Sequence, residues 1–299
     1  MYNQIALNKR RTILLIAIFV AVIVGIGYAI SFVSGGNPTA WLAGALVFSL
    51  ISALAGYYQG DKMALWSAGA VPIQKQDNPY IYRIVENLCI TAGMPVPKIY
   101  LIPDSAPNAF ATGRDPQHAS IAFTTGIIEQ LENEELEGVA AHELSHVKNY
   151  DIRVMTIVVV LAGTIALLAN WFMHMQFLGG RGNDRDRGGG ALGAILMIVG
   201  LIFIILSPII AQLIQLAVSR RREFLADASG ALLTRYPAGL ASALKKISSY
   251  QRPMQSASNA TAHLYITNPF GASGKRMAKL FSTHPPVEER VKALGEMII

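Results

Sequence analysis

Residues 133–153 read NEELEGVAAHELSHVKNYDIR. Asn133, Glu134 and Glu135 open a helix, because acidic residues suit the positive end of the helix dipole. On that helix His142 and His146 are four residues apart, which places both imidazoles on one face about one turn apart, within reach of a single ion. Glu143 lies between them, where it can take a proton from water activated by that ion. Two ligands and a general base at this spacing are the signature of a zinc hydrolase. The small residues Gly138, Ala140 and Ala141 suggest room for a metal, and Val139 and Val147 suggest a half-buried helix.

Downstream of this stretch the chain turns apolar. Of its 299 residues 52% are hydrophobic and only 15% charged, well below the usual share of about 25%. The mean hydropathy is +0.38, which points to lipid. Four stretches free of Asp, Glu, Lys and Arg are long enough to cross a bilayer, which takes about 20 residues: 12–33, 38–60, 154–178 and 188–219. The first two are separated by the short turn Ser34, Gly35, Gly36, Asn37 and read as a hairpin anchor rather than a signal peptide. Lys9, Arg10, Arg11, Lys62, Arg153, Arg220, Arg221 and Arg222 all sit at span ends that face the cytoplasm in one consistent assignment. The glycine-rich loop 179–190 then lies outside. Pro208 should kink the fourth span. The net charge of +6 belongs to these span ends, not to a basic aromatic patch, so nucleic acid is not an expected partner. The single cysteine, Cys89, excludes an internal disulfide and a cysteine zinc site, and reads as a small buried apolar residue.

Two regions are polar enough to face water, about 61–153 and 220 to the C-terminus. Ile81, Ile84, Val85 and Leu88 have helical spacing within 78–92. Residues 98–102, 108–112 and 119–124 read as short strands. The expected fold is α+β: a multi-pass helical membrane protein of about four transmembrane helices, with a cytoplasmic zincin-like metalloprotease domain containing a small β-sheet. The expected division is an N-terminal hairpin at 1–60 and a second hairpin at 154–219. The first half of the catalytic domain lies at 61–153 and the second half, with the third ligand, at 220–299.

A catalytic zinc normally takes three protein ligands and keeps one position open. The histidines His118, His174, His263 and His284 and the acids are candidates, and His174 falls on the outer side. Glu223, in Ser219-Arg220-Arg221-Arg222-Glu223-Phe224-Leu225-Ala226-Asp227 directly after the fourth stretch, is the expected third ligand. Asp227 shares its helical face and is expected to orient a ligand histidine. The two histidines precede the third stretch and Glu223 follows the fourth, so those two stretches either both cross or both do not.

These pieces together resemble the HtpX-type bacterial membrane zinc proteases, relatives of the eukaryotic CaaX prenyl proteases. The resemblance covers essentially the whole chain. It rests on the N-terminal hairpin, Pro107-Asn108-Ala109-Phe110-Ala111-Thr112-Gly113, His142-Glu143-Leu144-Ser145-His146, residues 219–227 and Ser282-Thr283-His284-Pro285-Pro286. It implies an inner-membrane endopeptidase of proteolytic quality control, stress-induced and independent of ATP, that cleaves misfolded or damaged membrane proteins on the cytoplasmic side. It implies one Zn²⁺ per chain. Its partners would be membrane-protein or unfolded polypeptide substrates and the bilayer. It also implies that residues 108–113, Asn108 included, form an edge strand that pairs with extended substrate. His284 could donate a hydrogen bond to the reaction's oxyanion, or its segment could merely cap the last helix. A transporter is disfavoured because no charged residue lies inside the spans. An intramembrane protease is disfavoured because charged residues flank the His-Glu motif. A non-proteolytic zinc scaffold is disfavoured by Glu143, since a structural site closes its fourth position.

Overall fold

The structure is a computed structural model that describes residues 2–34, 37–179, 219–258, 260–271 and 285–297. The fourth apolar stretch up to residue 218, nearly all of the glycine-rich loop before it, and His284 lie outside these residues.

Helices α1 (Tyr2–Ser34) and α2 (Pro38–Ser67) form a hairpin. Pro38 at the first helical position and the Asn37 carboxamide, which accepts from Thr39 N, start α2. The helix does not stop where the apolar stretch ends, but runs past Asp61 and Lys62 to Ser67. The third long helix, α6 (Asp151–Gly179), lies against both. Leu15, Phe19 and Ile23, one turn apart on α1, are buried against Val154, Ile157, Val158, Leu161 and Ile165 of α6. Small residues let the backbones approach: a Cβ on Gly60 would stand 2.8 Å from the Thr156 methyl. The outward faces carry exposed Ile13, Phe32, Val47, Ile51 and Leu54, which water would not tolerate as one continuous band. Length and composition allow α1, α2 and the first part of α6 each to cross a membrane.

The polar region builds a four-stranded sheet of order β1-β2-β4-β3, from β1 (Val71–Pro72), β2 (Lys98–Ile102), β3 (Ala109–Gly113) and β4 (Ala119–Thr124). β2 and β4 are parallel, and β1 and β3 run antiparallel to their neighbours at the two edges. Helix α3 (Pro79–Ala92) is capped by the Asn78 side chain at one end and by left-handed Gly93 at the other. Ile81, Val85 and Leu88 on α3 join Ile99, Ile121 and Phe123 of the sheet in one core with α5 (Asn133–Lys148). Cys89 lies in that core, and burial pushes its thiol up to about 11. A short helix, α4 (Thr125–Gln130), precedes α5. In the C-terminal part, α7 (Arg220–Thr234) and α8 (Pro237–Ser249) cross α5, and α9 (Val287–Gly295) closes over α7 and α8.

One local expectation changes. The small residues of α5 do not hollow out space for an ion. A Cβ on Gly138 would stand 2.8 Å from the Leu240 backbone. A Cβ on Gly230 of α7 would stand 3.0 Å from His142 N. These glycines make room for neighbouring helices, and that close crossing brings α7 within ligand distance of the histidines.

Candidate metal centre

The histidine helix begins with the Glu135 carboxylate reaching back to Glu132 N at 2.9 Å. Glu134 and Glu135 lie in its first turn, as expected from the helix dipole. It ends sharply. Asn149 caps it, Tyr150 takes the left-handed conformation at φ 61°, and α6 starts at Asp151. A tyrosine there costs on the order of 1–3 kcal/mol, which surrounding contacts must offset. Arg153 lies over the Tyr150 ring, 5.1 Å from its centroid.

His142 and His146 are both buried, and their Nε2 atoms are 3.2 Å apart. Glu223 on α7 faces them, with carboxylate oxygens 3.9 Å from His142 Nε2 and 3.5 Å from His146 Nε2. The candidate ligand atoms of these three residues lie within 4.8 Å of one another. Among the described residues no other His, Cys, Asp or Glu group meets that criterion. His118 pairs with Asp115 at 2.6 Å, and His263 Nε2 lies 3.1 Å from Met155 O. His284 falls outside the described residues.

The other ring nitrogens explain why the two Nε2 atoms converge. His142 Nδ1 donates to Asp227 Oδ1 at 2.8 Å, and His146 Nδ1 donates to Asp151 Oδ2 at 3.1 Å. A carboxylate on Nδ1 fixes the tautomer and turns the Nε2 atom towards Glu223. Two imidazole lone pairs and a carboxylate aimed at one point are a donor set for a cation. The local field differs at the two rings. Burial opposes charge on His146, but the Asp151 hydrogen bond and the Glu223 charge outweigh it and lift the imidazole to about 9. His142 is pulled the other way, since burial outweighs Asp227.

Asp227 is expected from the sequence; Asp151 and Arg290 are not. Arg290 on α9 is fully buried, which for an arginine demands pairing. It donates to both oxygens of Asp227, at 2.8 Å from Nε and 2.6 Å from Nη2. Nη1 donates to Ile266 O at 3.1 Å and approaches Glu223 at 3.8 Å. Burial disfavours its charge, yet Asp227 raises its pKa overall. Asp151 is held in turn by Arg222 Nη1, 3.0 Å from Oδ1. Neither has a decisive signal in the sequence: Asp151 is an acid opening an apolar stretch five residues after His146, and Arg290 an arginine one turn into the final helix.

Glu143 is buried beside this cluster. Burial lifts its carboxyl to about 7, and the Glu223 charge pushes the same way; His146 and a hydrogen bond from Ala111 N oppose this. Ala111 N on β3 faces that carboxylate. The outer edge of β3 lies against this chain: Ile266 N donates to Ala109 O at 3.0 Å and Gly113 N to Thr156 Oγ1 at 3.0 Å. The alternation 109, 111, 113 is that of one strand edge. The Asn108 side chain is buried and donates to Thr267 O at 3.2 Å, so it helps hold residues 266–267 against the edge.

With the geometry in view, the chain can be set beside known proteins. The model of peptidase family M48 matches residues 75–298. A protein named protease HtpX homolog from Caldanaerobacter subterraneus is 45% identical over 299 residues, covering 100% of this chain and 98% of its own. One of the same name from Thermoanaerobacter pseudethanolicus is 47% identical over 298 residues, with 99% and 98% covered. The crystal structure of Ste24p from S. mikatae is similar with a TM-score of 0.49 and 17% identity, over 98% of this chain and 67% of that one.

Proposed function

The chain belongs to peptidase family M48, and from that premise we propose that it holds one zinc ion on His142, His146 and Glu223 and hydrolyses peptide bonds with Glu143 as general base. It is a membrane-bound metalloendopeptidase. The convergence of His142, His146 and Glu223 within 4.8 Å beside a buried Glu143 carries the reading of the site. Two imidazoles and one carboxylate suit zinc and leave a position open for chemistry, His146 giving up its Nε2 proton when the ion binds.

When bound, the ion supplies the Lewis acidity that activates water and polarises the scissile carbonyl. Glu143 takes the water's proton on a carboxylate oxygen and returns it to the leaving amine. Its burial, which lifts the carboxyl to about 7, counters the acidifying pull of a neighbouring cation. Asp227 and Asp151 keep the histidine rings turned inward. Extended substrate pairs with the outer edge of β3, taking the place of Ile266 on Ala109 O. The position of Ala111 N beside Glu143 supports this, because a strand laid on that edge passes the base.

The proposed substrates are misfolded or damaged membrane proteins and unfolded polypeptides, cleaved without ATP in a stress response. The proposed location is the bacterial inner membrane with the site facing the cytoplasm. Support comes from the basic cluster Lys9, Arg10 and Arg11, which lies at the site's end of α1, as the positive-inside rule requires. The division into hairpins at 1–60 and 154–219 and catalytic halves at 61–153 and 220–299 belongs to the same proposal. The test is proteolysis of an unfolded membrane substrate by purified full-length protein. Cleavage should stop with a chelator and return with zinc, and Glu143→Ala should be inactive with zinc still bound. Full activity of that variant, or of chelated protein, contradicts the reading.

A further inference from the structure

A buried asparagine inside an apolar helix must be hydrogen-bonded, and its partners show what the helix is fixed to. Asn8 on α1 is fully buried. Its Nδ2 donates to Asn149 O at 2.9 Å and to Asp151 Oδ1 at 2.8 Å. Its Oδ1 lies 3.5 Å from Arg222 Nη1, which itself donates to Asp151 Oδ1 at 3.0 Å. The other oxygen of Asp151 accepts from His146 Nδ1 at 3.1 Å. The next residue, Lys9, lies over the Tyr150 ring, 5.6 Å from its centroid. The first turns of α1 therefore hold the α5–α6 junction at the carboxylate that sets the second histidine.

We propose that Asn8 is a positioning residue of the metal centre, so that the first membrane helix is part of the active site and not only its anchor. The proposal rests on the zinc reading of His142, His146 and Glu223. Asp151 has one oxygen on His146 and one shared by Asn8 and Arg222. Without Asn8 the carboxylate keeps Arg222 as its one hydrogen-bond donor on that side among the described residues, and it can rotate towards the guanidinium. The His146 ring then loses its fixed tautomer and orientation. Asn149 O loses its donor at the same time, which loosens the turn at Tyr150.

The first membrane helix also supplies the control. Thr12 lies one turn further along α1 and is buried, and its hydroxyl has no hydrogen-bond partner among the described residues. Full-length wild type, Asn8→Leu and Thr12→Val are compared in lipid nanodiscs. Zinc affinity is read by competition with a chelator, and ligand geometry by the visible spectrum of the cobalt-substituted protein. Asn8→Leu should bind zinc several-fold more weakly and change the cobalt spectrum, a smaller effect than the loss of about 10–100-fold usual for a direct partner of a metal ligand, because Asn8 acts through Asp151. Thr12→Val should match wild type. If Asn8→Leu does not fold, Asn8→Ala is read in the same way. Wild-type affinity and spectrum in the Asn8 variant overturn the proposal, and so does an equal loss in Thr12→Val, which would assign the effect to packing of α1. Failure of wild type itself to bind zinc would instead remove the underlying reading of the site.

Discussion

His142 and His146 sit one turn apart on α5, yet they are held by different carboxylates. His142 is held by Asp227 of α7, which is clamped by Arg290 of α9. His146 is held by Asp151 at the start of α6, with Arg222 of α7 and Asn8 of α1 behind it. The two arrangements share a chemistry of histidine, carboxylate and buried guanidinium. They differ in what lies next to the guanidinium. Arg290 comes within 3.8 Å of Glu223, the third candidate ligand. Arg222 is shared with a membrane helix. The centre therefore depends on two clamps, and either can misalign it.

The largest expected effect separates holding the metal from using it. Glu143→Gln touches neither clamp, so zinc affinity should stay within a few-fold of wild type while kcat falls about 10²–10⁴-fold, the usual contribution of a general base. Loss of zinc in this variant would show that Glu143 belongs to the holding machinery.

Next come the two carboxylates, compared by isosteric change. Asp227→Asn and Asp151→Asn should each weaken zinc by about 10–100-fold. Asp227→Asn should be the worse, because Arg290 is then free to pair with Glu223 and compete for the ligand. It should also lower stability by about 3–5 kcal/mol, the usual cost of stripping the partner from a buried charge. Chelator competition and denaturant unfolding measure the two effects. A larger zinc loss in Asp151→Asn would reverse the assignment of the stronger clamp.

Gly230→Ala probes the crossing of α5 and α7. Its methyl would stand 3.0 Å from His142 N, so α7 must shift, at a cost of about 1–3 kcal/mol. Weaker zinc binding should accompany the shift, since Glu223 moves with α7. Unchanged stability and affinity would mean that the crossing has slack.

The smallest effect is expected far from both clamps. Lys75 pairs with Glu86 at 2.7 Å on an exposed surface. Lys75→Ala should change stability by less than about 1 kcal/mol and leave cleavage rates unaltered.

What the sequence revealed follows the range of the forces involved. His142, Glu143 and His146 are legible because helical periodicity alone places them. The strands 98–102 and 119–124 coincide with β2 and β4, because β-branched and aromatic alternation is also local. Glu223 needed a longer argument, that ligands must meet on one side after an even number of crossings. Asp151 was not legible, because the left-handed Tyr150 breaks the helix and redirects the chain just before it. Arg290 and Asn8 were hidden for a different reason: each reaches the centre only through tertiary contacts, across 148 and 138 positions of sequence from His142 and His146 respectively (290 − 142 and 146 − 8). Occupation of the β3 edge by Ile266 was equally invisible, since it is one backbone hydrogen bond between distant segments.

The central claim is that one zinc ion sits on two imidazoles and one carboxylate. Zinc K-edge absorption spectroscopy on the purified full-length protein, with its metal content measured on the same sample, tests it most directly. The expected result is about one zinc per chain with only nitrogen and oxygen neighbours at about 2.0–2.2 Å, two of them imidazole, and loss of one imidazole in His146→Ala. Metal-free protein, or a zinc shell unchanged in that variant, would contradict it.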